Sequence, residues 1–260
     1  MKKSINQLWS YRELLIAFTL REIKIRYKQT ILGASWAILQ PAALTIIFSI
    51  VFGVFLKVNS GSVPYPVFSY SALLPWTFFA TAVSFGALSV VNNGNLVTKV
   101  YFPREILPLA AVGAAFIDFL SASLIFLLMF FVYKISLSVA FLYVLLIFPS
   151  IFLLTVGISF ILSALNVMFR DIRFVVPLIL QIWLYLSPVI YSMDQVPEKF
   201  RKFYILNPMA PLIQSFRDVT VFGKSPNVGE LTLAIIVSVL IFILGYLIFK
   251  AKERKFADII

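Results

Sequence analysis

The sequence contains no cysteine and no histidine, which removes thiol nucleophiles, disulfides, imidazole bases and the usual zinc ligands together. The acids that remain are scattered. Glu105 and Asp171 stand apart from other carboxylates, whereas a membrane transferase acting on polyprenyl phosphates needs paired, metal-coordinating acids such as a DxxD-like cluster. Gly223-Lys224-Ser225 copies the end of a phosphate-binding P-loop, but the glycine required five positions earlier is Asp218, so the match fails. Asp118 is different because it falls in the middle of a long apolar run, where a charged residue costs about 2.5–3.5 kcal/mol to insert. With no lysine or arginine in the core of any apolar run, its expected states are protonated, bonded to a neighbouring serine or threonine, or facing water. A structural and a proton-relay role both stay open, although a lone acid argues against a proton-coupled carrier. The basic run Arg21, Lys24, Arg26 and Lys28 could attract anionic groups, each charge contributing about 1 kcal/mol near an anionic surface. Simple anchoring at the inner membrane face predicts the same charges.

The elements that position these residues are membrane helices. The chain has 260 residues, 61% hydrophobic and 13% charged, with mean hydropathy +0.99, a surface no water-soluble domain tolerates. Spans of about 20 apolar residues are expected at 31–56, 67–91, 106–133, 137–165, 174–191 and 231–249, and their length and lack of ten-residue alternation exclude barrel strands. The expectation is an all-α membrane protein in one domain. It comprises a cytosolic and interface helix over 1–30, spans 1 to 5 over 31–191, an outer hairpin over 192–230, span 6 over 231–249 and a tail over 250–260. Ile16, Leu20, Ile23 and Tyr27 recur at helical spacing on one side of the first segment and Arg21, Lys24 and Lys28 on another, so this helix is expected to lie in the interface. Met1-Lys2-Lys3 resembles a signal-peptide start, but Arg12, Glu13 and the Arg21–Lys28 charges interrupt any following apolar core.

Charge fixes the orientation. With the N-terminus inside, the inner segments collect Lys2, Lys3, the Arg21–Lys28 run, Lys99, Arg104, Arg170, Arg173 and the basic tail from Lys250 to Lys255, while the two short outer loops hold only Lys57 and Lys134. Both termini are therefore expected in the cytosol. Basic flanks of this kind account for the net charge of +11 without a nucleic-acid partner. The tail KAKERKFADII leaves no room for a nucleotide-binding domain, so energy is expected from an ion gradient or another chain.

Three interruptions carry information. After span 2, Asn95 is expected to cap a short inner helix bearing Leu96, Val97, Val100 and Tyr101 before Pro103 stops it, a surface for a partner or for lipid headgroups. After span 4, Arg170, Asp171 and Arg173 occupy a short inner turn, readable as topology anchoring with a local Arg–Asp pair worth under about 1 kcal/mol. The segment 192–230 is too long for a loop and too broken for a span, and is expected to hold re-entrant or interfacial helices near an exit. Within the spans, Pro177, Gln181, Tyr185, Pro188 and Tyr191 share one helical face, as do Pro41, Thr45, Phe48, Phe52 and Phe55. Periodicity favours helix packing for these faces; the other reading is an aromatic wall that binds sugar rings weakly enough to let a long substrate pass.

Four blocks, REIKIRYKQTILGASWAILQP, NLVTKVYFPREILPLA, LNVMFRDIRFVVPLILQIWLYLSPVIY and LNPMAPLIQSFRD, resemble in order and over nearly the whole chain the membrane subunits of type 2 ABC exporters, and among them the permeases for lipid-linked polysaccharides such as O-antigen, capsule or teichoic acid. The resemblance implies a six-span half-transporter of the cytoplasmic membrane that pairs with a second copy of itself and with two copies of a cytosolic ATPase. ATP and magnesium would be held by that partner, and this chain would carry no cofactor. It further implies that Asn95, Leu96, Val97, Lys99, Val100, Tyr101 and Phe102 form the coupling helix received by the ATPase. Arg170, Asp171 and Arg173 would make a smaller contact, spans 1 and 5 would line a dimer-centred channel, 197–222 would form outer gate helices, and Arg21, Lys24, Arg26 and Lys28 could attract the diphosphate of the lipid-linked substrate. Export of drugs or lipids by the same architecture is the competing expectation.

Overall fold

The computed structural model describes residues 9–259, so Lys2 and Lys3 lie outside the described residues. Among the described residues eleven α-helices follow one another, with no strand. They are α1 (Arg12–Tyr27), α2 (Trp36–Phe48, prolonged by a π-helical stretch Ser49–Phe55), α3 (Tyr65–Asn92), α4 (Gly94–Lys99), α5 (Ile106–Val132), α6 (Val144–Met168), α7 (Ile172–Tyr185), α8 (Glu198–Leu206), α9 (Met209–Thr220), α10 (Val228–Lys252) and α11 (Phe256–Ile259). Five helical segments are long and apolar enough to cross a membrane: Trp36–Phe55, Tyr65–Asn92, Ile106–Val132, Val139–Met168 and Val228–Ile259. They correspond to expected spans 1, 2, 3, 4 and 6.

The expected fifth span differs. α7 has 14 residues, fewer than the roughly 20 a span needs. It ends because Pro188 follows Ser187, and the residue before a proline is sterically driven out of the helical region. Pro188 and Tyr191 therefore leave the helical face they were expected to share with Gln181 and Tyr185.

α3 is the central helix, its Val67, Phe68, Tyr70, Leu73, Phe79, Val83 and Val90 all buried. Phe78 of α3 meets Phe116 and Phe119 of α5 and Phe148 and Phe152 of α6, with ring centroids 5.4–6.4 Å apart. Two buried polar side chains bond across helices: Tyr70 Oη donates to the Ala122 carbonyl at 2.8 Å and Asn166 Nδ2 to the Ala87 carbonyl at 3.0 Å, the kind of internal partner that a medium without water demands.

α6 and α10 approach closely through glycine, the small-residue packing of membrane helices. A Cβ added at Gly245 would lie 2.2 Å from the Gly157 carbonyl oxygen. Neither backbone yields cheaply, so Gly245→Ala should destabilise the protein by about 1–3 kcal/mol, read as thermal unfolding in detergent. Gly229→Ala, whose Cβ would meet only Asn227 Oδ1 at 3.5 Å, should leave the transition unchanged.

Candidate translocation and coupling surfaces

At the end reached by α3, the chain turns through Asn93 into α4. Asn93 and not Asn95 precedes the helix, and it makes no side-chain cap. Its Nδ2 donates to the Ser89 carbonyl at 2.7 Å while its Oδ1 accepts from Arg21 of α1. The residues expected to meet a partner divide in two. Asn95, Lys99, Val100 and Tyr101 are exposed, Tyr101 at 85%, and Leu96 is half-buried. Val97 and Phe102 are buried at 2% and 6%, Phe102 stacking on Phe18 of α1 at 5.7 Å. These two side chains anchor α4 to the rest of the chain. The second expected contact surface, Arg170, Asp171 and Arg173, is exposed. No ion pair joins Arg170 or Arg173 to Asp171 among the described residues; Arg173 lies over its own neighbour Phe174 at 4.6 Å.

α1 was expected to turn Ile16, Leu20, Ile23 and Tyr27 toward an apolar phase as one face. Instead Phe18, with Leu14 and Leu15, packs against the core, and Ile16 and Leu20 point outward at 57% and 50% exposure. Apolar side chains on both sides place the helix between protein and lipid. Its contacts step along α5: Thr19 lies against Gly113, where a Cβ would meet its side chain at 3.2 Å, and Arg26 and Tyr27 meet Asp118. Gly113 to Asp118 is about 7.5 Å of helix rise, so α1 descends along α5 and does not lie flat across it.

That descent corrects the reading of Asp118 as an acid with no basic partner. It accepts from Arg26 Nη1 and, at 2.7 Å, from Tyr27 Oη, and Arg26 also lies over the Phe85 ring at 4.0 Å. The spans supply no cation, but the preceding interface helix does. The four basic residues of the Arg21–Lys28 run thus part company. Arg21 and Arg26 turn inward to Asn93, Glu22 and Asp118, while Lys24 and Lys28 are exposed. Around the Arg26–Asp118 pair is a cavity of about 530 Å³, lined among others by Trp36, Gln40, Pro41, Phe85, Phe119 and Pro177.

The face expected along span 1 is not a single surface. Pro41, Thr45 and Phe48 turn into the protomer, and Thr45 Oγ1 donates to the Pro41 carbonyl at 2.8 Å. Phe52 is half-buried against Phe48, centroids 5.6 Å apart, and only Phe55 is exposed, at 72%. These residues pack because α2 leans on α3 and α5; the outward stripe of α2 is Ile46, Ile47, Ile50 and Val54. On α7, Pro177, Gln181 and Tyr185 do form an outward line. Pro188 is buried, and the half-buried Tyr191 donates to the Tyr185 carbonyl at 2.8 Å and meets the Tyr204 hydroxyl.

The segment beyond α7 contains α8 and α9, joined at Asn207-Pro208. Asn207 ties this hairpin to α7: its Oδ1 accepts from Trp183 Nε1 at 2.7 Å and its Nδ2 donates to the Leu186 carbonyl at 3.0 Å. Arg217 of α9, fully buried, escaped the sequence reading although it sits beside Phe216 and at helical spacing from Ile213 and Thr220, all of them buried. Nη2 donates to the carbonyls of Pro188 at 2.8 Å and Val189 at 3.0 Å, Nη1 to Tyr191 and Nε to Phe68, both at 3.3 Å, and its Cζ lies 3.8 Å from the Phe68 ring centroid. Burial pushes this guanidinium down to about 9, which leaves it charged at neutral pH.

Burial also pushes the neighbouring Asp218 up to about 6 from 3.8, against the hydrogen bond from Gln214 and the charge of Arg217. The folded state then binds the proton more readily than the unfolded one, so the stabilisation is complete below about pH 4 and is lost as pH rises through about 6. Thermal unfolding in detergent should accordingly shift upward on acidification from pH 7 to 5 relative to Asp218→Asn, which should lack this component.

Comparison with known proteins bears on these surfaces. Residues 13–221 match the family model described as ABC-2 type transporter. The chain is 30% identical over 261 residues to an O-antigen export system permease protein of Klebsiella pneumoniae, covering 100% of this chain and 98% of that one. It is 29% identical to the O-antigen export system permease protein of Myxococcus xanthus, covering 99% of each. A polysialic acid transport protein of Escherichia coli is 25% identical over 92% of this chain and 93% of its own length.

Proposed function

Because the chain belongs to the ABC-2 type transporter membrane family, we propose that it is the permease subunit of an ATP-driven exporter that moves polysaccharide, carried on a polyprenyl diphosphate, across the cytoplasmic membrane. The observation that carries the reading is the end-to-end likeness to permeases named for O-antigen and polysialic acid export. Two copies of the chain bind two copies of a cytosolic ATPase, which holds ATP and magnesium; this chain performs no chemistry of its own. Both termini are cytosolic. The exposed tip of α4, with Lys99, Val100 and Tyr101, enters the ATPase, and the Arg170–Arg173 turn adds a second contact. Lys24 and Lys28, unlike Arg21 and Arg26, are free in geometry to attract the lipid diphosphate. The outward line of Gln181 and Tyr185 on α7 faces the path, and along α2 the wall is built from Phe55 and the outward stripe, with Phe52 at its edge.

Nucleotide closure of the ATPase dimer displaces α4, and the spans part to admit the lipid-linked chain. Since the protein has no native cysteine, Lys99→Cys places a sole thiol at the tip of α4. In the complex with a co-expressed ATPase it should crosslink to that subunit; an intact complex that yields no crosslink removes the α4 assignment. Reconstituted export of a defined lipid-linked glycan tests the substrate, and transport of a drug or lipid in its place would overturn it.

A further inference from the structure

The segment that follows the last span folds back onto both inner surfaces. Lys250 Nζ of α10 lies 2.7 Å from Oε1 of Glu105, a residue 1% exposed, and 3.1 Å from both carboxylate oxygens of Glu253. Arg104, beside Glu105 in the strap that leaves α4, donates to the Glu253 carbonyl. Phe256 of α11 is completely buried, its ring 5.3 Å from Phe249 of α10, which in turn lies 5.2 Å from Phe160 of α6. Ile259 closes a cavity of about 240 Å³ with Asn92, Asn166, Arg170 and Arg173. A buried ion pair is a poor source of net stability but a stiff geometric constraint, because separating its charges leaves one of them unpaired. Here it fixes the exit of α4 to the end of α10 while the Phe256 stack fixes the same end to α6.

We propose that residues 250–259 form a strut that carries displacement of α4 into α10 and α6, with Lys250 and Phe256 as positioning residues. The inference rests on the reading of α4 as the ATPase contact for its consequence in transport. Its mechanical content is independent of that reading.

The first test is hydrogen exchange on the full-length protein in detergent. Lys250→Met and Phe256→Ala should each speed exchange of the α4 amides at least five-fold while α3 stays protected, and Lys255→Met, an exposed control, should change neither. Unchanged protection of α4 in both variants would overturn the strut. The second test uses the complex with its ATPase in vesicles. Lys250→Met should lower glycan export per ATP hydrolysed at least ten-fold with hydrolysis within two-fold of the native rate, and the paired reversal Glu105→Lys with Lys250→Glu should restore most of it. Export and hydrolysis falling in proportion, or neither falling, would show that the tail transmits nothing. A native chain that bound no ATPase would remove the α4 reading, and the exchange result would still decide the strut.

Discussion

Replacing Arg217 with methionine should destabilise the protein by about 3–5 kcal/mol and abolish export, the largest effect expected of any single change in the α8–α9 hairpin. The two short bonds to Pro188 and Val189 are charge-assisted and contribute about 1.5–3 kcal/mol each. Their loss also leaves the carbonyls of a non-helical segment without donors in a buried place, where non-helical backbone is tolerated only if protein satisfies it. Arg217→Lys should recover less than half of the loss, since a compact ammonium cannot reach carbonyls that diverge around a planar fork. Thermal unfolding of the two variants in detergent checks the order; equal midpoints for methionine and native arginine would show that the guanidinium does not hold the broken end of α7.

Asp118→Ala should cost a comparable amount, about 3–5 kcal/mol, because it strands the guanidinium of Arg26, only 12% exposed, without its carboxylate. The cost belongs to the stranded charge and not to the pair. Arg26→Met combined with Asp118→Leu should therefore return to within about 1 kcal/mol of the native protein, and the double-mutant cycle should show a coupling larger than about 1 kcal/mol. Additive effects would mean that α1 is held by Phe18 and Leu15 alone. If the double variant is stable and still exports, Asp118 is a fastener for α1 and proton-relay chemistry at this position is excluded.

The positions of five long spans could be read from apolar run length alone, to within a few residues at most ends, because bilayer thickness sets that length directly. The short helix after span 2 and the broken segment after α7 could be read from Pro103, Asn207 and Pro208, which act locally. What could not be read was the facing of side chains. Periodicity gives a shared face for Pro41, Thr45 and Phe48 but no sign for its direction, and in an apolar phase the inward and outward faces of a helix differ little in hydrophobicity. The partner of Asp118 was hidden for a different reason: Arg26 is separated from it by 92 residues in sequence and reaches it only because α1 descends along α5. Arg217 left a signal, an arginine on the apolar face of a short helix, which in soluble proteins would mark the surface. Its neighbours Ile213, Phe216 and Thr220 are the cue that it is buried.

The early end of α7 has a consequence for the membrane around the protein. Fourteen residues rise about 21 Å, some 9 Å less than the roughly 30 Å hydrocarbon layer that the other long helices match. Where lipid borders α7 beside the path it must thin, or the α8–α9 hairpin must supply the missing length, and either response is a hydrophobic mismatch confined to that border. Bilayers of shorter acyl chains relieve that mismatch, so membrane thickness itself becomes a variable that biases how α7 sits.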